Sequence, residues 1–483
     1  MQARLNRGEG TDNKNIAWQA SGFDGTRVLD GRHATFVLDL RESVAMDQLT
    51  KTMPEENWQK FLQADQAITR NGHTLHIPRP SLDRIGYRLS PLLSFGVLNG
   101  GAATSFVDAT KNSSLYPDYF PLVQKYFKRD AAFCSGKPKA LTPACYGPDG
   151  KPGPSFLDLK LRSLSCFLST ATQILGSVPR SQELLPLLPW VQMVNTAGKP
   201  HLELALANGS TALWNVPSGA LNARWIKELR NPLTGVQELL SAFAVPGPDK
   251  TYPFFRGAFG QAGEVLGLPG GHGSAYSTLR PVFETLYQSG KRFVYLGNID
   301  NIGLTPNPHA LAIAVLLDAE GLFEFSLKTA MDAKGGILVE TPEGKLTCTD
   351  IGLGIGIEEV KAFEKAGKPI LFNCATGLFS LAYLVEHVDD IAQKLPLRAS
   401  LQKKDAGTYF QAEQSAWEIL GILEKPVVLG VAKAERFLAG KVIMESYLTS
   451  GLKLEESLPA ELLATAHSLN DGLKNLLSKV YNL

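Results

Sequence analysis

The residues of this chain with chemistry to offer are paired glycines, a few lysines, one histidine and one aspartate. Asn99-Gly100-Gly101 closes an apolar run, Leu92-Leu93-Ser94-Phe95-Gly96-Val97, and continues into Ala102-Ala103-Thr104-Ser105. A buried strand that ends in paired glycines lets the backbone approach a ligand, and its bare N–H groups suit a phosphate or a base edge. By itself the turn reads more readily as ordinary strand-to-helix punctuation. A second segment, Gly136-Lys137-Pro138-Lys139-Ala140-Leu141-Thr142-Pro143, follows it along the chain. Further on, Pro269-Gly270-Gly271-His272-Gly273 sets a histidine beside flexible backbone, with neither a zinc-type pair nor a nearby serine nucleophile. Asp300 stands just past the apolar run Phe293-Val294-Tyr295-Leu296, at the carboxyl end of an expected strand, where α/β sheets bind ligands. A hard carboxylate there suits Mg²⁺ shared with phosphate oxygens; an Asx-turn is the alternative, and the dipeptide alone favours it.

These residues must be held by a chain of 483 residues, long enough for two to three domains. Hydrophobic residues at 44% and charged residues at 20% describe an ordinary globular composition. With 48 basic and 47 acidic side chains the formal charge is +1, so nothing argues for nucleic acid or an anionic membrane as partner. Phosphate chemistry must therefore use local positive charge. The cysteines Cys134, Cys145, Cys166, Cys348 and Cys374 form no CxxC pair and read as free thiols of a reducing compartment. The N-terminus is polar rather than signal-like, and no apolar run is long enough to span a bilayer; a cytoplasmic protein is expected. Gly352-Leu353-Gly354-Ile355-Gly356 has the wrong spacing for a dinucleotide fingerprint, and the eight histidines show no HExxH, so no structural zinc is expected.

Residues 1–90 read as an N-terminal extension with helical content, Trp58, Phe61 and Leu62 sharing one helical face. From about 91 short apolar runs alternate with longer helical stretches, as in βαβ units. Ser155 opens a helix that runs on to Leu175-Gly176, while Trp190–Asn195 and Arg292–Leu296 read as buried strands. Residues 337–349 read as a hairpin turning at Pro342-Glu343-Gly344-Lys345. Beyond Lys441 the leucines recur at helical spacing, from Leu458 to Leu477.

Taken in order, the motifs resemble the split signature of eukaryotic-type UTP–glucose-1-phosphate uridylyltransferases. Gly100-Gly101 with Thr104 is similar to its Gly-Gly-x-x-Thr loop, and Pro138-Lys139 with Leu141 and Pro143 to its Pro-Lys and Leu-x-Pro steps. Pro269–Gly273 resembles its Pro-x-Gly-His-Gly, Asn298-Ile299-Asp300-Asn301-Ile302-Gly303 its Asn-x-Asp-Asn-x-Gly, and Lys328–Leu338 its Lys-Thr-x-x-Asp-x-Lys-Gly-Gly-x-Leu. Phe372-Asn373 and Arg436-Phe437-Leu438 through Lys441 complete the series. The chain departs from the pattern at Ala102-Ala103, where relatives have Leu-Gly, and at Ala439-Gly440, where they have Pro-Val. Its tail also lacks the repeated strand pattern of the β-helix that often ends such relatives.

The resemblance implies an α/β fold: a Rossmann-like mixed-sheet nucleotidyltransferase core over 91–400, with 107–135 an insertion. A helical N-terminal extension would precede it, and a 401–483 segment ending in helices would complete the site. It implies that UTP and a sugar 1-phosphate, foremost glucose 1-phosphate, become a UDP-sugar and pyrophosphate. The sugar phosphate is already a competent nucleophile, so the reaction needs alignment and charge neutralisation rather than a general base. Lys139 and Lys441 would carry the phosphate charge. Asn99, Gly100, Gly101, Gly271, His272 and Gly273 would line the nucleotide, Asn298, Gly336 and Asn373 the sugar, and Asp300 would hold Mg²⁺. Lys111 lies closer to the glycine loop and competes with Lys139, but Ala140-Leu141-Thr142-Pro143 completes the pattern around Lys139. A UDP-N-acetylhexosamine or broad UDP-sugar pyrophosphorylase and a catalytically silent nucleotide-sugar-binding protein are the alternatives. The first branch usually carries Asn-Gly-Gly where this chain has Gly-His-Gly.

Overall fold

The computed structural model describes all residues except 11–17, 102, 177–186, 209–228, 330, 333, 405, 456 and 482–483. Its centre is a mixed sheet of eleven strands among the described residues. The order along its main path is Val28–Asp30, Pro426–Gly430, Gly321–Leu327, Leu371–Ser380, Phe293–Asn298, Leu93–Leu98, Trp190–Asn195 and Leu233–Gln237. Phe293–Asn298, Leu93–Leu98, Trp190–Asn195 and Leu233–Gln237 run parallel. Leu371–Ser380 runs against both of its neighbours.

Every residue of Leu93–Leu98 is buried, because helices cover both faces of the sheet. A parallel strand in that position must read as a continuous apolar run, and each large apolar side chain buried there contributes roughly 1.5–3 kcal/mol. One face is packed by the helices Arg79–Leu89, Phe156–Leu175, Pro308–Leu316, Ile443–Thr449 and Ala460–Lys479. The other takes Arg280–Gln288 and Leu381–Lys394.

The expected helix from Ser155 is present as Phe156–Leu175. The Ser155 hydroxyl accepts from the Asp158 N–H while the Asp158 carboxylate accepts from the Ser155 N–H, a reciprocal cap that satisfies two otherwise orphaned donors. The hairpin is Gly336–Glu340 against Leu346–Asp350, and the tail is the helix Ala460–Lys479. Residues 1–90 are more than helices. Val37–Arg41, Thr74–Pro78 and Thr69–Asn71 form their own antiparallel sheet, and Val28–Asp30 adds a strand to the edge of the main one. These strands are too short for alternation to stand out in sequence.

Candidate active site

Two strand ends create the site. Leu93–Leu98 and Phe293–Asn298 pair in parallel with Leu98 opposite Asn298, so Asn99-Gly100-Gly101 and Ile299-Asp300-Asn301 leave the sheet side by side. Leu93–Leu98 is also the strand from which the chain steps outward in both directions, a topological switch point where a crevice must open.

The two halves of the split signature meet there. The Lys139 N–H donates to the Gly101 carbonyl at 3.1 Å, and the Ala103 N–H to the Lys137 carbonyl at 3.2 Å. Between them the chain makes an excursion of three helices, Thr104–Val107, Ala109–Leu115 and Phe120–Cys134. Of the Ala102-Ala103 departure, Ala103 is buried and Ala102 lies outside the described residues.

Lys139 is 7% exposed. Its Nζ lies 3.6 Å from Asp300 Oδ2, donates to the Lys441 carbonyl at 3.2 Å and sits 4.2 Å from the centre of the Phe106 ring. Burial pulls the Lys139 ammonium below the usual lysine range, and the charges of Asp300 and Glu445 oppose that pull. Lys441 Nζ donates to the Lys334 carbonyl at 3.0 Å, and the Lys441 N–H donates to Glu445 Oε2 at 2.5 Å. Gly335 has φ +147, and a Cβ there would lie 2.5 Å from the Phe372 ring and 3.1 Å from Lys441 Nζ. Gly336 opens the hairpin and packs near Asn373, whose Oδ1 accepts from the Ala375 N–H at 2.9 Å. Lys139, Asp300, Lys441, Gly336 and Asn373 are thus brought to one crevice, with Asn298 at its sheet end. Asn99 is different: it is 2% exposed, with Nδ2 3.4 Å from Gln192 Oε1, so its side chain lies beneath the loop.

Several residues that hold this wall were given no role from the sequence. Asn301 is fully buried; its Nδ2 donates to the Cys374 and Arg436 carbonyls, and its Oδ1 accepts from the Gly303 and Leu438 N–H groups. One side chain thereby ties the Asp300 loop to the segment that carries Lys441. Arg436 forks onto Glu324 at 2.8 and 2.9 Å and bonds Thr305 through its hydroxyl and carbonyl. Lys160, buried in the helix Phe156–Leu175, donates to the carbonyls of Asn301, Ile302 and Leu304. Its three donors meet three acceptors, although burial disfavours the charge. Opposite Glu324 the register with Leu371–Ser380 slips, and Ala375 adopts φ +49, a conformation unusual for a residue with a Cβ. The available signal was a lone charge inside an apolar run: Leu159-Lys160-Leu161 and Phe323-Glu324-Phe325.

The opposite wall is made differently. Gly271 has φ +80, and a Cβ there would stand 2.5 Å from the Gln414 carbonyl oxygen; at Gly273 it would meet Gln414 Cβ at 2.6 Å. These glycines let the loop lie flat on the strand Gly407–Gln414 of a small hairpin. Gln237 Nε2 donates to the Gly271 carbonyl at 2.8 Å and to Ser274 Oγ at 2.7 Å. Its Oε1 lies where a Cβ on Gly100 would be 3.1 Å away, so Gln237 joins the two glycine loops. His272 Nδ1 accepts the Ala416 N–H at 2.8 Å, which leaves the proton of the neutral ring on Nε2. Burial pulls the His272 pKa below its ordinary value.

Beside Lys441 a cavity of about 90 Å³ is bordered by Lys111, Lys334, Lys433, Lys441, Asp332 and Glu445, with apolar side chains such as Phe372 and Phe437 making up the rest of its lining. Among the described residues no three His, Cys, Asp or Glu side chains are grouped to hold a metal. Asp332 is taken by Lys433 at 2.6 and 2.8 Å, and Glu445 by the Lys441 N–H and the Tyr116 hydroxyl. Of the carboxylates nearest Lys139 and Lys441 this leaves Asp300, its side chain 19% exposed, while Asp350 lies toward Gly336 and His272. One carboxylate fits a Mg²⁺ that shares phosphate oxygens and water, not an ion caged by protein alone.

The family model for UTP–glucose-1-phosphate uridylyltransferase matches residues 261–452. The UTP–glucose-1-phosphate uridylyltransferase of Hordeum vulgare is 28% identical over 191 residues, 39% of this chain and 40% of that one. The match thus spans about two fifths of that relative. Among solved structures, UDP-glucose phosphorylase from Trypanosoma brucei aligns with a TM-score of 0.54 at 16% identity, covering 87% of this chain and 81% of that one. A point variant of UDP-glucose pyrophosphorylase from Leishmania major, in complex with UDP-glucose, gives 0.53 at 17% identity, covering 75% and 66%. The fold is therefore the one shared by these enzymes. No described helix is long and apolar enough to cross a membrane.

Proposed function

We propose, from the match of residues 261–452 to the UTP–glucose-1-phosphate uridylyltransferase family model, that this chain joins UTP and a sugar 1-phosphate. Glucose 1-phosphate is the sugar that the family favours, and UDP-glucose and pyrophosphate are the products. The observation that carries the reading is the meeting of Lys139, Asp300 and Lys441 at two adjacent strand ends. Lys139 and the glycine loop come from outside the family-matched stretch, yet they converge on Asp300 and Lys441 within it.

In this reading the sugar phosphate oxygen attacks the α-phosphorus and pyrophosphate leaves, so charge accumulates on phosphate oxygens throughout. Lys139 and Lys441 neutralise it, and the Gly100 and Gly101 amides lie along the phosphates. Gly271, His272 and Gly273 border the nucleotide, while Asn298, Gly336 and Asn373 border the sugar. Asn99 supports the loop from below. Asp300 would hold Mg²⁺ brought with the nucleotide, which when bound neutralises and aligns the phosphates. The free cysteines, four of them buried, support a reducing, cytoplasmic setting.

Incubation with UTP, Mg²⁺ and a panel of sugar 1-phosphates, with pyrophosphate as the readout, tests the reading. Turnover should be fastest with glucose 1-phosphate and should stop on chelation of the metal. UTP or UDP-sugar binding with no pyrophosphate released from any sugar would mark a silent binding protein instead.

A further inference from the structure

The helical excursion between the two halves of the split signature brings one more cation to the crevice. Lys111 sits in the short helix Ala109–Leu115, half-buried, on the border of the cavity beside Lys441. The excursion is locked in place around it. Asn112 Oδ1 accepts the Met444 N–H at 3.1 Å, the Tyr116 hydroxyl donates to Glu445 at 3.3 Å, and the Tyr447 hydroxyl donates to Asp130 at 2.5 Å. Lys111 is therefore held against the segment that carries Lys441, not swinging on a free loop.

The charges around it do not balance. Lys433 is neutralised by Asp332, but among the described residues no carboxylate pairs with Lys111, Lys334 or Lys441. Glu445 gives Lys111 its largest attraction, and it already accepts from the Lys441 backbone and the Tyr116 hydroxyl. Burial, Lys334 and Lys441 all press the Lys111 ammonium below the usual lysine range, against the pull of Glu445 and Asp108. Like charges kept together at the rim of a cavity, at a cost to the empty protein, call for an anion of more than one charge.

Resting on the uridylyltransferase reading, we propose that Lys111 is a phosphate-binding residue supplied by the excursion. With Lys334 and Lys441 it holds a phosphoryl dianion in this cavity. Two sources share that chemistry: the pyrophosphate that leaves, and the phosphate of the sugar 1-phosphate.

The test is calorimetric titration of the full chain with inorganic pyrophosphate and, separately, with glucose 1-phosphate. Lys111→Met keeps the apolar stem and removes the charge. It should weaken one of the two ligands by about tenfold, as expected for one charge-assisted contact worth ~1.4 kcal/mol, and the affected ligand identifies the source. Lys111→Arg should restore most of the affinity, and the melting temperature of both variants should stay at the parent's. Lys111→Gln repeats the measurement if the Met variant folds poorly. Unchanged affinity for both ligands in Lys111→Met, or a parent that binds neither, overturns the proposal. A parent that binds pyrophosphate through Lys111 yet turns over no sugar would refute the uridylyltransferase reading and leave this one standing.

Discussion

The two walls of the crevice reach rigidity by different balances of charge pairing and close backbone packing. The wall that carries Asp300 and Lys441 is bound by buried polar side chains: Asn301 makes four hydrogen bonds, Lys160 three, and Arg436 forks onto Glu324. The wall that carries Gly271, His272 and Gly273 is bound chiefly by close backbone packing, with glycine where a Cβ would strike Gln414 and with Gln237 and the His272 ring as its side-chain ties. Charged networks hold a fixed pattern of field, which suits phosphates. Close backbone contact sets a shape and a spacing, which suits a base and a ribose. The first wall should break through loss of charge pairing and the second through added bulk.

The largest effect belongs to the first wall. Glu324 is 0% exposed, and Glu324→Ala strands the Arg436 guanidinium in the core. Losing one partner of a buried pair costs about 3–5 kcal/mol, so denaturant melts should show a loss of that size. A loss below about 1 kcal/mol would mean that the Arg436–Glu324 pair does not hold this wall.

Next come the phosphate-facing groups, where activity should fall with little change in stability. Lys139→Ala should lower kcat/KM by about 10²- to 10³-fold, well beyond Lys111→Met. Asp300→Asn should lose most turnover, part of which higher Mg²⁺ or Mn²⁺ recovers, with a smaller loss of melting temperature from unpairing Lys139. A fall in melting temperature with normal activity per folded molecule would reduce Asp300 to a turn residue. Lys139 and Asp300 lie 3.6 Å apart, so the double variant should be far from additive.

How much of this was legible in the sequence follows the same divide. The strands Leu93–Leu98 and Phe293–Asn298 and the helix Phe156–Leu175 were readable because burial on both faces, or a Ser–Asp cap, leaves a local signature. The ordered motifs marked Lys139, Asp300 and Lys441, but not what holds them. Lys160 meets Asn301 across 141 positions and Arg436 meets Glu324 across 112, distances that periodicity does not span. The strands of the first ninety residues escaped for another reason. Val28–Asp30 has three residues, and its pairing with Pro426–Gly430 is a tertiary choice. Lys111 was readable as a candidate, but the charged residues it shares the cavity with, Lys334 and Lys441 among them, lie far along the chain.

On the second wall the effects should be smaller. Gly271→Ala must place a Cβ 2.5 Å from a backbone oxygen at φ +80, so the loop has to lift from Gln414. Strain of this kind costs about 1–3 kcal/mol, and thermal melting should register it. Because the loop borders the nucleotide in the proposed reading, KM for UTP should rise more than kcat falls. An unchanged KM with a lowered melting temperature would make Gly271 a packing residue alone.

The smallest effect concerns His272 and acid. Its Nδ1 accepts the Ala416 N–H, and a proton on that nitrogen would replace an acceptor with a second donor facing the first. Burial also disfavours the charged ring, so its pKa lies below the ordinary value of 6.5 that the unfolded chain recovers. Near and below that value the unfolded state binds more protons than the folded one. The stability contributed by the neutral ring is therefore complete above 6.5 and drains away as pH falls through it toward the folded pKa. His309 is shifted in the same direction by burial and remains in both proteins, so it cancels from a comparison with His272→Gln. Melts of the two proteins between about pH 7.5 and pH 5.5 should show the parent losing stability more steeply, by at most ~1.4 kcal/mol per unit. Parallel curves would mean that His272 is no harder to protonate in the folded chain than in the unfolded one. The Ala416 N–H would then not fix its tautomer, and the second wall would be held by its glycines and by Gln237.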